Sequence, residues 1–216
     1  MSDRHRMLVW GASGHALVVA DAIRCQGKYE IAGFVDTVSP ERADTSFAKG
    51  RILGGLEVLS RCRDEGVSHL FIAIGDCDVR LRLAEQAASF GYELGIVIHP
   101  SAIVAEDVCI GSGTFIAAGV VVNPGTSVGE QVILNTGCSV DHDCRLADGV
   151  HIGPGAVVAG HVTIGRATLL GAGSVVKDHL SIGDATVIGA GGVVISDMDS
   201  HVIAVGVPAR SRERKS

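Results

Sequence analysis

The chain has 216 residues, room for one or two domains, and sets only 4% aromatic residues against 29 glycines. A formal net charge of −6 argues against a surface built to bind nucleic acid. The six cysteines form no CxxC pair, and no run of ~18 apolar residues offers a membrane span.

Residues 7–10 are a short apolar run that enters Gly-Ala-Ser-Gly-His at Gly11 to His15. Residues 7–23 look superficially like a secretion signal, but Gly11, Ser13, Gly14, His15 and Asp21 interrupt them and no cleavage motif follows, so a cytoplasmic protein is expected. The pattern predicts a helix with Ala16, Val19, Ala20 and Ile23 on one face, closed by Gly27. Residues 31–35 read as a second strand ending at Asp36, 37–51 as mostly loop, and 57–65 as a helix. A third strand at 69–74 and a helix at 80–90, closed by Gly91, follow. Strand, glycine-rich turn, helix, strand and acidic residue open a βαβ unit, which predicts a Rossmann-like α/β domain with a parallel sheet over 1–97.

Gly11 and Gly14 aim backbone N–H groups at a helix N-terminus, a place where phosphate binds. Ser13 and Ala16 occupy the second and third glycine positions of the G-x-G-x-x-G fingerprint, so a tight turn holding no ligand is the plainer alternative. Asp36 could accept hydrogen bonds from a ribose or base, or could be an ordinary strand-end residue. His15 could donate to a phosphate, or could cap and stack.

From Ile98 to Val194 every sixth residue is Ile, Leu or Val. A period of six suits neither helix nor plain strand but is the signature of hexapeptide rungs stacked into a parallel β-helix. Each rung contributes one aliphatic to a shared interior it could not bury alone. The residue two before each aliphatic is nearly always small or β-branched and reads as a second inward position. The residue after each aliphatic is Gly, Ala, Asn or Asp at almost every site from Ala105 to Ile195 and reads as the corner.

Phase decides which rung residues face water. His142 falls two after Val140, at a corner, and His151 falls one before Ile152, so neither points inward. His142 lies between Asp141 and Asp143, where a carboxylate can fix the imidazole tautomer and raise its basicity. His161 and His179 also lie off the interior phase and read as surface or interface residues. If three rungs make a coil, the spacing from His142 to His151 is half a coil, so the two leave opposite sides of the prism. They can then cooperate only across a subunit boundary, which predicts a symmetric homo-oligomer. Cys138 and Cys144 fall in the inward phase, which disfavours a cysteine nucleophile.

The rungs, the Val-Asp-His-Asp-Cys stretch and the tail Gly-Val-Pro-Ala-Arg (206–210) resemble left-handed β-helix acyltransferases that use acetyl-CoA. The first half, the Phe-Ile-Ala-Ile-Gly strand (71–75) and the Ile-Leu-Asn-Thr rung (133–136) narrow this further. The whole chain is similar to the bacterial sugar O-/N-acetyltransferases related to sialic acid O-acetyltransferase, most of all to N-acetyltransferases of nucleotide-linked 4-amino-4,6-dideoxy sugars. The left hand comes from the resemblance, since crossover connections otherwise favour the right.

The resemblance implies a homotrimer with intersubunit sites in which His142 is the general base and Asp143 its acidic partner. His151 and the backbone N–H of Gly160 would hold the acetyl carbonyl oxygen. Acetyl-CoA, the co-substrate, would run between prisms toward Pro208 and Arg210, within a β-helix domain over 98–216. Gly11, Ser13, Gly14, His15, Asp36, Gly75 and Asp76 would hold a UDP-, GDP- or dTDP-linked amino sugar. The reaction asks for no metal, since an imidazole and N–H donors suffice. O-acetylation of a sialic acid or similar hydroxyl would use the same base. A metal-dependent hydrolase would need three histidines meeting at an interface, and the usual pair five residues apart is missing. A non-catalytic nucleotide-sugar sensor would have no use for the pairing of His142 with Asp143.

Overall fold

The structure is a computed structural model that describes residues 4–212. The chain divides into two compact units, Met1–Pro100 and Ser101–Ser216. The bounds expected from the sequence, 1–97 and 98–216, include residues 1–3 and 213–216, which lie outside the described residues.

The first unit alternates strands and helices in the order β1 (His5–Trp10), α1 (Gly14–Gln26), β2 (Tyr29–Val35), β3 (Ser46–Phe47), β4 (Gly50–Gly54), α2 (Val58–Asp64), β5 (His69–Ile72), α3 (Cys77–Ser89) and β6 (Glu93–Leu94). They build a sheet ordered β3-β4-β2-β1-β5-β6, parallel throughout except for β3 against β4. The central strand β1 buries Met7 to Trp10 completely, which is why it reads as an unbroken apolar run rather than an alternating one. Helix α1 lays Ala16, Val19, Ala20 and Ile23 into the core and stops at Gly27, whose φ of 72° lets its N–H return to the Ile23 carbonyl at 3.1 Å. The strand order reverses between β1 and β5, the place where a parallel sheet opens a crevice at its C-terminal edge.

Residues 37–51 carry more structure than the expected loop. Pro40–Arg42 form a 3-10 turn, and β3 and β4 form a hairpin whose turn residues Ala48 and Lys49 have φ of 46° and 58°. That is the backbone of a tight two-residue hairpin turn, but Ala-Lys lacks the Asn-Gly signature that announces one. Helix α3 begins before the expected residue 80, because the Asp76 carboxylate accepts the Val79 N–H at 2.9 Å and caps it.

From Ile103 to Val194 the second unit is a prism of two-residue strands in three parallel sheets, strands pairing 18 residues apart, as Val121 with Ser139, Ser127 with Arg145 and Ile133 with His151. Three rungs therefore make one coil. An antiparallel pair, Ile203–Val205 and Arg210–Arg212, extends one sheet. The six-residue aliphatics from Ile116 to Val194 are all buried, each burial stabilising the prism by roughly 1.5–3 kcal/mol. The second inward positions are small because three walls converge on a narrow interior; Cys138 and Cys144 are among them and fully buried.

The corner lies elsewhere than expected. Left-handed backbone occurs three residues after every six-residue aliphatic from Ile110 to Ile188, at Gly113, Gly119, Gly125, Gln131, Gly137, Asp143 and onward. The residue directly after the aliphatic is small for another reason: a Cβ at Gly111, Gly153 or Gly171 would come within 2.5–2.6 Å of backbone in the next coil. At these glycine rungs close stacking of coils, not turning, favours the missing side chain.

Candidate active site

His142 sits at the corner between the strands Ser139–Val140 and Arg145–Leu146. The two aspartates beside it have separate tasks. Asp141 Oδ1 accepts the backbone N–H of His142 and the side-chain amide of Asn123, both at 2.8 Å, and so shapes the turn. Asp143, left-handed at φ 56°, places Oδ2 2.9 Å from His142 Nδ1. With Nδ1–H donated to that oxygen, Nε2 is the nitrogen left to take a proton. The hydrogen bond that His142 donates to Asp143, reinforced by the charge of Asp141, holds the His142 pKa above the ordinary histidine value. The same bond lowers the Asp143 carboxyl.

Gly160 lies one coil on, directly beneath the ring: a Cβ there would sit 2.7 Å from His142 Cε1 and Nε2. The rung position it occupies is also that of Pro124 and Pro154, so the stacked coils do not need its N–H. Where that N–H is bonded at other rungs the acceptor is a side chain, as at Glu130 and Arg166. Gly160 therefore combines room for the imidazole with a backbone donor the fold leaves over.

His151 stands on a different face of the prism, in the strand His151–Ile152, as half a coil requires. Its Nε2 lies 3.3 Å from Nδ2 of Asn135, whose place in the Ile-Leu-Asn-Thr rung gives no sequence sign of this contact. His161 and His179 are more than scattered surface residues. His161 Nε2 lies 3.8 Å from Asp143 Oδ2, its ring meets His142 edge-on at 5.0 Å, and His179 stacks on it at 4.5 Å. The 18-residue spacing of 143, 161 and 179 was the available signal.

His142, Asp143 and His161 present donor atoms within 4.8 Å of one another, as do Asp21, Cys25 and His99, spacings a cation could bridge. The bond between His142 and Asp143 already accounts for the first set, and the chemistry below draws on no cation. The buried thiols do not compete as nucleophiles, since burial pushes Cys138 up to about 12 and also raises Cys144.

In the first unit a cavity of about 260 Å³ gathers Gly11, Ser13 and Asp36 with Trp10, Thr37 and Arg42. Gly11 has φ 130°, and a Cβ on it would meet the Ala73 carbonyl at 2.7 Å, so only glycine lets the loop cross the end of β5. Ser13 precedes α1 without capping it through its hydroxyl. Gly14 begins the helix beside open space, and His15 follows half-buried in its first turn. Asp36 is buried and already engaged: Oδ1 accepts the N–H groups of Val38 and Ser39 at 3.0 and 3.1 Å, and Oδ2 pairs with Arg42 at 3.0 Å. Arg42 also donates to the Ala12 carbonyl at 2.8 Å, tying the loop after β2 to the glycine loop. It lies in the segment read as loop and carries no sequence pattern that marks it.

Gly75 and Asp76 lie outside that cavity wall. Arg80, fully buried, donates to the carbonyls of Ile74 and Gly75 at 3.0 Å and of Asp76 at 3.3 Å, so this turn has a structural task. At the end of the prism Pro208 and Arg210 are exposed, and Arg210 borders a cavity of about 380 Å³ with Ile195, Asp197 and Asp199.

The PglD N-terminal domain family matches residues 6–87. The crystal structure of PerB from Caulobacter crescentus, in complex with CoA and GDP-perosamine, superposes with a TM-score of 0.91 at 39% identity, over 95% of this chain and 96% of that one. The acetyltransferase domain of PglB from Neisseria gonorrhoeae, in complex with acetyl coenzyme A, gives 0.89 at 32% identity, over 97% and 100%. A GDP-perosamine N-acetyltransferase of Escherichia coli O157:H7 is 32% identical over 119 residues, 53% of this chain and 54% of that one, so this match spans about half of the curated relative. Because the PerB alignment runs through nearly all of both chains, the chain belongs to the family of nucleotide-linked amino-sugar N-acetyltransferases built on a left-handed β-helix.

Proposed function

We propose that this protein transfers the acetyl group of acetyl-CoA to the 4-amino group of a nucleotide-linked 4-amino-4,6-dideoxy sugar, with a GDP-linked sugar as the first choice. The observation that carries this reading is the His142–Asp143 pair, an exposed imidazole with Nδ1 held at 2.9 Å and Nε2 left to act as base. The neutral sugar amine attacks the thioester carbonyl carbon, forming the C–N bond and an oxyanion. His142 Nε2 takes the proton that the nitrogen sheds as charge builds on it. The C–S bond then breaks, the carbonyl re-forms, and the CoA thiolate recovers the proton from His142. The Gly160 N–H and His151 are the donors for the oxyanion. Gly11, Ser13, Gly14 and His15 receive the phosphates at the start of α1, while Asp36 faces the nucleoside. CoA reaches its site along Pro208 and Arg210.

His142 and His151 leave different faces of one prism, so the working unit is a homotrimer in which one chain supplies the base and its neighbour the acetyl-side histidine. The outward residues Ile103, Val157 and Val175 support such packing: they lie in one column of one face, interrupted at Ser139, and are 68%, 42% and 38% exposed. No helix among the described residues is long and apolar enough to cross a membrane. Acetyl-CoA and nucleotide sugars are made in the cytoplasm, so the reaction belongs there.

A thiol-release assay with acetyl-CoA tests the reading against a panel of GDP-, UDP- and dTDP-linked 4-amino sugars, their 4-hydroxy counterparts and free sialic acids. Thiol release with an amino sugar and none with its hydroxyl counterpart is expected. Release only with hydroxyl acceptors would overturn N-acetylation.

A further inference from the structure

The corner that carries His142 differs from its neighbour in one respect. At the neighbouring corner the left-handed position is glycine in coil after coil, at Gly119, Gly137, Gly155, Gly173 and Gly191. At the His142 corner Asp143, His161 and His179 hold that position, with φ of 56° and 57°. The third corner also carries side chains there, at Gln131, Ala167 and Ala185, so what sets the His142 corner apart is that its side chains are ionisable in three consecutive coils. Their geometry points to a use. Asp143 Oδ2 lies between two imidazoles, 2.9 Å from His142 Nδ1 and 3.8 Å from His161 Nε2. The His161 ring stands at 89° to His142 and lies flat on His179 at 15°.

We propose that His161 is a positioning residue that shares Asp143 with the base and sets the pH at which His142 becomes competent. The proposal rests on His142 being that base. The ionisable groups around His161 are Asp143 and His142 from the preceding coil, with Asp141 beside them, and His179 from the next, which has Asp178 at 3.8 Å. Once protonated, His161 competes for the oxygen that His142 uses, and its charge opposes a second charge on the adjoining ring. His142 then gives up its proton at a lower pH than the carboxylates alone would allow, which keeps the base neutral over a wider range. Stacking on His179 holds His161 in this pose.

The pH dependence of kcat/KM in two variants of opposite character tests this. His161→Asn tolerates the left-handed backbone and removes the charge, so the acid limb should move to higher pH by about half a unit. His161→Lys makes the charge permanent and should move the limb the other way. His179→Asn, which does not touch the shared carboxylate, should move it much less. Unchanged limbs, or shifts of the same sign in Asn and Lys variants with wild-type melting, would overturn the proposal, since a purely structural histidine gives no sign reversal. Near-normal turnover in His142→Ala would instead remove the base assignment on which the proposal rests.

Discussion

The carboxylates flanking His142 make a prediction with a definite sign. Asp143 raises the imidazole pKa above the ordinary value of 6.5, and the base works only when neutral, so the acid limb of kcat/KM should have its midpoint above 6.5. Asp143→Asn removes the stabilisation of the imidazolium, so the limb should fall back toward 6.5 while plateau activity drops through loss of the fixed tautomer. A pH–rate profile of both proteins decides this, and an unmoved limb would assign the pKa to another group. His142→Ala should lower kcat by roughly 10²–10⁴ with melting unchanged, because the side chain is exposed and supports no core. Near-normal kcat at saturating substrate would remove His142 from the chemistry. The outward phase of His142 was legible from the six-residue count alone. Which aspartate serves the ring did not follow from that count, because Asp141 and Asp143 are equidistant in sequence; the family resemblance pointed to Asp143, and the left-handed turn at 143 is what brings its carboxylate to the ring.

Among the elements, the rung position of Gly160 matters as much as its donor. Gly160→Ala would press a methyl against the imidazole at 2.7 Å, and an ångström of displacement can cost up to about 10²-fold in rate. We expect kcat to fall with KM for acetyl-CoA little changed, read from steady-state kinetics; an unaltered kcat would mean that the ring does not need its place above Gly160. In the first unit, Asp36→Ala releases the loop that Arg42 ties to the Ala12 carbonyl, so it should weaken the nucleotide sugar far more than acetyl-CoA. Calorimetry with each ligand separately checks this, and equal losses would show that the two units do not divide the ligands. Helix α1 and its Gly27 stop were readable because capping obeys local rules. Arg42 and the Ala48–Lys49 hairpin were not, since their conformations come from packing against β2 and β4 rather than from turn-forming residue types.

For the whole molecule, an uninterrupted six-residue period made the rungs legible, because a prism with no large side chains tolerates little irregularity, whereas three rungs to a coil entered as a condition and is fixed by the 18-residue pairing. The columns that run along its edges were harder to see. They join residues 18 apart, and His161 gains its meaning only when stacked on Asp143 and His142. The central claim is that acetyl transfer uses His142 of one subunit with His151 of the next. The most direct measurement mixes inactive His142→Ala and His151→Ala chains in denaturant, refolds them together and assays thiol release. Every mixed closed trimer has one junction where intact His142 meets intact His151 in the right order. Activity should return to about a quarter of wild type after equal random reassembly. Mixed trimers that form but stay inactive would place the whole site within one chain and contradict the claim.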